Sequence, residues 1–339
     1  MHITVILCTY NRSAQLRTAL TSAAGLVLPE SVKWEVLVVD NNSSDQTREV
    51  IQDFCNQYSG RFRYLFEGTP GKSNALNSGI REAHGDILAF TDDDVTFDPM
   101  WLQNLAAALS NRGWVGVGGR ILWKWTCSRP VWLSPDGRYW RMSWPLTSFD
   151  FGEKALEDNK YTNGANMAFR KDVFARYGGF RTDLGPQPGS EIRCEDNEFG
   201  LRLHAGGERV GYEPSAIVYH PVHQNRLTKK YFLDWWFDFG IGTVREMGGQ
   251  LSIAGRPIPR LARTRYAVWL IESILRWMLS RSPAKRFYHK VAVWEKAGAL
   301  MESFRRSQPM VNAAIGKSSE GTSRSSSAVP LGIPPSSAA

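Results

Sequence analysis

The first hundred residues alternate between short apolar runs and amphipathic stretches, and few folds accommodate that alternation. ITVILCTY at 3–10 and WEVLVVD at 34–40 are β-branched runs of strand length, and residues from about 13 to 25 carry a helical pattern. A second helical pattern at about 44–58, the strand-like RFRYLFE, the helical NALNSGIREAH and the strand-like DILAFTD continue the series. Such alternation predicts an α/β domain with a mostly parallel central sheet wrapped by helices. A chain of 339 residues is long enough for one such domain with an appendage. No internal repeat recurs at a fixed period.

Open sheets of this kind gather ligands beyond the carboxyl ends of their strands. Thr9, Tyr10, Asn11, Asp40 and Asp92 to Asp94 fall at such ends, so polar groups from three strands point to one crevice. Spacing argues against two familiar nucleotide motifs. GTPGKSNALNSGI at 68–80 contains Gly71-Lys72-Ser73, but a phosphate-wrapping P-loop needs a glycine at position 66, which is Phe66. The first strand–helix turn, CTYNRSAQL, has no glycine, which argues against a dinucleotide-binding, hydride-transferring domain.

Asp92, Asp93 and Asp94 follow a buried strand, where adjacent carboxylates raise one another's pKa unless a cation is present. Hard oxygen ligands in this number suit Mg2+ or Mn2+ completed by substrate phosphates; the competing reading is a solvated acidic turn ahead of Asp98-Pro99. From about 113 the pattern becomes irregular, with GWVGVGGRILWKW and then a Trp-rich, Pro-containing stretch to about 160 that reads as binding loops or a lid, with disorder as the alternative. TNGANMAFRKDVFARYGGF at 162–180 returns to strand and helix, SEIRCEDNEFGLRLHAGG starts another helix, and AIVYH ends a last strand. Beyond about 307 Ser, Gly, Pro and Ala predominate, and a disordered tail is expected.

TYNR at 9–12, VVDNNSSDQT at 38–47, GKSNALNSGI, FTDDD, GANMAFRK and CEDNEF, in this order, resemble the nucleotide-sugar-dependent glycosyltransferases of family 2, with the GT-A fold. The resemblance covers roughly residues 1–223 and is silent about the sugar. It implies that Thr9 and Tyr10 border the nucleotide base, with Asn11 and Arg12 in the same donor-binding turn. Asp40 would accept hydrogen bonds from the edge of the base, and Lys72 would sit near the nucleotide as a mobile positive charge. Asp92 and Asp94 match the Asp-X-Asp pattern, Asp92 near ribose or metal and Asp94 on the metal, with Asp93 in the variable position of the donor site. His220 resembles a further metal ligand; a structural role is the alternative, and His223 is close by.

Asp196 is the base that the resemblance implies, because an inverting transfer needs a carboxylate to take the acceptor's hydroxyl proton opposite the departing nucleoside diphosphate. Phe199 and Leu203 follow it at i+3 and i+7, which turns its helix face inward. Glu198 has Arg202 at i+4 and reads as a surface ion pair, whereas Glu195 is the nearest competitor for the catalytic role and helps raise the pKa of Asp196. Asn166, beside Gly164, matches a substrate-contacting loop, with a turn-forming role as the alternative.

The expected function is metal-dependent, inverting transfer of a sugar from a nucleotide-sugar donor, with Mn2+ or Mg2+ as cofactor. Uridine is the expected base, with guanine and thymine as alternatives, and the acceptor is a glycan or lipid-linked glycan of polysaccharide or cell-envelope biosynthesis. A nucleotidyltransferase, which would release pyrophosphate, and a catalytically silent scaffold are the rivals. The Gln-X-X-Arg-Trp motif of processive synthases is incomplete, since Ser273 precedes Arg276-Trp277 where glutamine would stand, and this favours single transfer.

Residues 1–223 hold 23 Lys+Arg against 26 Asp+Glu, while 224–306 hold 16 against 6. The expected organisation is therefore a catalytic domain to 223, a basic, aromatic-rich helical region at 224–306 and the tail from 307. Val268, Ile271, Ile274, Leu275 and Met278 share one helix face, with Trp269 and Trp277 near its borders. Arg263, Arg265, Arg276, Arg281, Lys285 and Arg286 lie in or beside it, so its partner is either an anionic membrane surface or the catalytic domain, and nucleic acid is not expected. Cys8, Cys55, Cys127 and Cys194 show neither CxxC nor zinc-ligand spacing and read as reduced thiols. MHITVILCTY lacks signal-peptide features, and YAVWLIESILRWML at 266–279 is too short to span a bilayer and contains Glu272 and Arg276. A cytoplasmic protein acting at the inner membrane face is expected.

Overall fold

The structure, a computed structural model, describes residues 1–134, 137–158, 162–253, 256–257 and 263–305. The tail expected from 307 lies outside the described residues, as do the side chains of Arg263 and Arg265. The first half follows the expected series: β1 (His2–Thr9), α1 (Ser13–Ala24), β2 (Lys33–Asp40), α2 (Thr47–Gln57), β3 (Phe62–Phe66), α3 (Lys72–Glu82) and β4 (Ile87–Asp92). β3, β2, β1 and β4 pair in parallel in that order. Because side chains alternate along a strand, Ile3, Val5 and Leu7 of β1 join Leu16 and Leu20 of α1 in one core, while Ile6 joins Ala75, Leu76 and Ile80 of α3 in another. Burial on both faces explains why these strands are continuous apolar runs.

The second half comprises β5 (Thr96–Phe97), α4 (Trp101–Asn111), β6 (Gly116–Trp125), a 3-10 segment (Gly137–Leu146), β7 (Met167–Arg170), α5 (Asp172–Tyr177), α6 (Glu195–Ala205) and β8 (Val210–Val222). The eight strands form one sheet in the order β3-β2-β1-β4-β7-β6-β8-β5. β7 is antiparallel to both its neighbours, and β5 closes the edge antiparallel to β8. β6 runs parallel to β8.

β6 departs from the irregular segment its sequence predicts. Its glycines lower strand propensity, yet packing requires them: at Gly116 a Cβ would lie 2.5 Å from the Phe169 ring.

After β8 come α7 (Lys229–Glu246), a hairpin pairing Ser252–Ile253 with Arg256–Pro257, α8 (Arg263–Leu279) and α9 (Pro283–Arg305). α7 and α9 cross so closely that a Cβ at Gly240 would strike the Glu295 carbonyl and one at Gly298 the Phe237 carbonyl. Met142 and Leu146 of the 3-10 segment, Phe232 and Trp236 of α7, and Phe287 and Val291 of α9 form a third core, with Trp123, Trp125 and Trp132 packed on it. Arg245 reaches Glu302 at 2.9 Å, and Arg141 reaches Glu295 at 2.5 Å, across the same assembly. Much of the Trp-rich stretch, expected as loops or a lid, is thus packed beneath the C-terminal helices.

Candidate active site

β4 ends at Asp92, and the turn after it carries Asp93 and Asp94 into the crevice beside the end of β1. Thr9 Oγ1 donates to Asp93 Oδ2 at 2.7 Å, and Arg12 Nη1 donates to Asp93 Oδ1 at 2.7 Å and Asp94 Oδ2 at 3.2 Å. Arg226, in the turn between β8 and α7, donates to Asp94 Oδ2 at 2.8 Å, and His220 Nε2 of β8 lies 3.5 Å from Asp94 Oδ1. Lys72, the first residue of α3, donates to Asp92 Oδ1 at 2.6 Å and lies 3.9 Å from Glu195 Oε1.

Burial separates the charges of this cluster. It pushes Asp93 up to about 6, with Arg12 opposing and Asp94 reinforcing. Burial works the same way on Asp94, but His220 when protonated, and Arg226 and Arg12 at any pH, outweigh it and hold that carboxyl below the ordinary carboxylate range. His220 itself is pulled down by burial, which keeps the imidazole neutral near neutral pH. Burial opposes the charge of Lys72, yet Asp92, Glu195 and Asp196 hold the ammonium above its ordinary pKa. Burial also pushes the nearby Cys8 thiol well up, so it remains protonated and is no nucleophile.

Among the described residues no three His, Cys, Asp or Glu side chains form a ready metal cage. The donor chemistry nevertheless fits a hard divalent cation: Asp94 and the neutral His220 already meet, Asp92 ends β4 two residues before Asp94, and the buried carboxylate of Asp94 requires positive charge. Arg226 and Arg12 supply that charge here.

Asp196 occupies the other end of the crevice, in the first turn of α6. Its Oδ2 accepts from the Gly164 backbone N–H at 2.7 Å and its Oδ1 from that of Asn197 at 2.8 Å, while Thr162 Oγ1 donates to its carbonyl at 2.9 Å. A Cβ at Gly164 would lie 3.2 Å from Lys72 Nζ and 3.6 Å from Asp196 Oδ2, so the bare glycine lets the ammonium and the carboxylate approach. Asp196 is half-buried, whereas Glu195 is only 4% exposed. Burial, reinforced by Asp196, pushes Glu195 up to about 7; burial also raises Asp196, against the Gly164 N–H and Lys72. Glu198 pairs with Arg202 at 2.6 Å as expected, although the pair is half-buried and Arg202 also donates to the carbonyls of Tyr177 and Gly179.

Tyr10 is 43% exposed at the end of β1. Asp40 is buried, its Oδ1 accepting from the Ser43 N–H at 2.9 Å and its Oδ2 from the Tyr64 hydroxyl at 3.2 Å; each oxygen keeps a lone pair. Asn11, in the left-handed region at φ 52°, accepts from the Ser44 N–H at 2.7 Å and so ties β1 to the loop that holds Asp40.

Asn166 departs from its expected substrate contact. It is fully buried, donates to the carbonyls of Arg120 and Ala216 at 2.9 and 2.8 Å, and accepts from Trp101 Nε1 at 2.8 Å, so its side chain locks β6, β8 and α4 together. Two further groups at the site are absent from the sequence expectation. Arg226 is one of many cations in the basic segment after His220, and Glu246 stands at the end of α7; neither carries a signal that singles it out in the sequence. Among the described residues the Glu246 Oε1 has no hydrogen-bond partner, and burial, then Asp196, pushes the group up to about 7.

Residues 4–178, just over half of the chain, match the profile of glycosyl transferase family 2. Glucosyl-dolichyl phosphate glucuronosyltransferase of Haloferax volcanii is 28% identical over 228 residues, spanning 67% of this chain and 71% of that protein. The mannosyltransferase PcManGT of Pyrobaculum calidifontis, solved with GDP-Man and Mn2+, superposes with a TM-score of 0.54 at 19% identity, covering 93% of this chain and 76% of that one. S. aureus TarS 1-349, solved with UDP-GlcNAc, superposes with a TM-score of 0.52 at 16% identity, covering 91% and 93%. With its strand-end aspartates, the parallel β3-β2-β1-β4 half and the family match over the same residues, the chain belongs to glycosyl transferase family 2 and is a glycosyltransferase of GT-A fold.

Proposed function

We propose that this glycosyltransferase moves one sugar per reaction from a nucleotide-sugar, with inversion at the anomeric carbon and with Mn2+ or Mg2+, to a hydroxyl of a glycan or lipid-linked glycan. The observation that carries this reading is the pairing of Asp196, held by two backbone N–H groups, with Asp92 and Asp94 across Lys72 in one crevice. Residues 1–223 form the catalytic domain in this reading, and 224–306 contributes Arg226 and the packing behind α6.

The base of the donor lies by Tyr10 and Asp40, whose remaining lone pairs face the edge of a uracil or guanine. GDP-Man and UDP-GlcNAc in the two solved relatives leave both bases open, and uridine is our choice. Asp92, Asp94 and His220 would hold the metal, which when bound neutralises the departing diphosphate. Arg12 and Arg226, released from Asp94, turn to the phosphate oxygens, and Lys72 remains between diphosphate and base. The acceptor oxygen bonds to the anomeric carbon as the bond to the diphosphate oxygen breaks, and the hydroxyl proton passes to Asp196. Burial, and after it the charge of Asp92, raises the affinity of Asp196 for that proton, while Glu195 lies buried next to it in the chain. A lipid-linked acceptor is supported by the name of the Haloferax relative, and our reading puts the reaction at the cytoplasmic membrane face.

The test is a hydrolysis screen of UDP- and GDP-sugars, followed by NMR of the product formed from the active donor. An α-linked donor should yield a β-linked product. Retained configuration overturns the mechanism.

A further inference from the structure

α8 is turned the opposite way from most surface helices. Its inner face docks on α9 through Tyr266, Ser273 and Ser280, all buried, with Trp277 edge-on to Trp294 and the Lys296 ammonium 4.1 Å from the Trp269 ring. The outer face presents Val268, Ile271, Leu275, Met278 and Leu279, each between 53% and 80% exposed. Their spacing places them in one stripe, opposite the serines. A helix that buries serines and exposes its most apolar line has a partner that the described residues do not supply.

Charge identifies the partner. Residues 273–294 contain five Lys or Arg and no Asp or Glu. Arg281, Lys285 and Arg286 are exposed in the turn leading into α9 and at its start, while the exposed Arg276 on the flank of the stripe pairs with Glu272. A second copy meeting this face would set like charges against each other, whereas an anionic bilayer meets both needs: acyl chains for the stripe and headgroups for the cations. No described helix is long and apolar enough to cross a membrane, so the contact is a surface one.

We propose that the outer face of α8, with the basic start of α9, is a docking surface for an anionic lipid bilayer. The surface stands apart from the donor site, so its failure would leave the transfer reading intact.

The test is flotation of the full chain with vesicles at low salt. It should float with vesicles of phosphatidylcholine and phosphatidylglycerol, remain behind with phosphatidylcholine alone, and detach as salt rises. Ile271→Ser, Leu275→Ser and Met278→Ser together should lower the bound fraction by roughly tenfold or more while leaving nucleotide binding unchanged. Arg281→Glu with Lys285→Glu should abolish the preference for phosphatidylglycerol, and this variant decides the matter if the triple one does not fold. The proposal is overturned if the wild-type chain floats with neither vesicle, if both variants float like it, or if light scattering finds a dimer that the triple variant splits.

Discussion

At the β4 end of the crevice Asp93 and Asp94 are met by two guanidinium groups and an imidazole; at the α6 end Glu195 and Asp196 have Lys72 and backbone N–H groups. Burial raises carboxylate pKa at both ends, and the difference lies in what opposes it. Positive charge wins at Asp94, which stays ionised, whereas Glu195 is pushed up to about 7 and Asp196 above its ordinary value. In the proposed reaction similar side chains would therefore divide the labour by environment: one end would hold positive charge against a diphosphate, the other would accept a proton.

The strongest way to break this comparison is Asp196→Asn. It should lower kcat by about 10² or more, the usual scale of a lost general base, with donor KM nearly unchanged. An equal loss in Glu195→Gln with activity left in Asp196→Asn would exchange the two roles.

Glu195→Gln sharpens the comparison through pH. A carboxyl whose pKa rises on folding, here from 4.5 to about 7, binds protons more tightly in the folded state. Its contribution favours the folded state at low pH and declines as pH rises from 4.5 through about 7. Relative to wild type, the Gln variant should gain stability over that window, by at most about 3 kcal/mol. Thermal unfolding at pH 5 and pH 8 measures this, and a parallel response of the two proteins would show that burial does not strain Glu195.

A smaller effect is expected at Arg226. Arg226→Gln frees Asp94 from one guanidinium, so Mn2+ alone should bind about tenfold more tightly, while a nucleoside diphosphate with Mn2+ should bind less tightly. Equal Mn2+ affinity in the two proteins would mean that Arg226 does not compete for Asp94.

The β4 end was legible in the sequence because its information is local. β2, β1 and β4 are largely apolar runs, and each ends in a polar residue, Asp40, Thr9 and Asp92, at the carboxyl end of the sheet. The α6 end was legible only in Asp196 and Glu195, which stand in one motif. Arg226 meets Asp94 across 132 residues of chain, and in the sequence it is one of many cations in a basic segment. Asn166 belongs to a recognisable motif, but its burial is set by Trp101, Arg120 and Ala216, from three other elements. β6 was hidden by glycines whose reasons lie elsewhere in the chain, the Phe169 ring at Gly116, the Phe149 ring at Gly118 and the Asn166 side chain at Gly119. The stripe on α8 was plain from its period, yet nothing local says which side faces the protein.

The most direct test of the division between the two ends is calorimetry of UDP binding to the wild type, Asp94→Ala and Asp196→Asn, each with Mn2+ and with chelator. Asp196→Asn should bind UDP like the wild type and keep its dependence on Mn2+, while Asp94→Ala should lose most of that dependence. Equal binding by the wild type with Mn2+ and with chelator, or loss of UDP binding in Asp196→Asn with full retention in Asp94→Ala, would contradict the account.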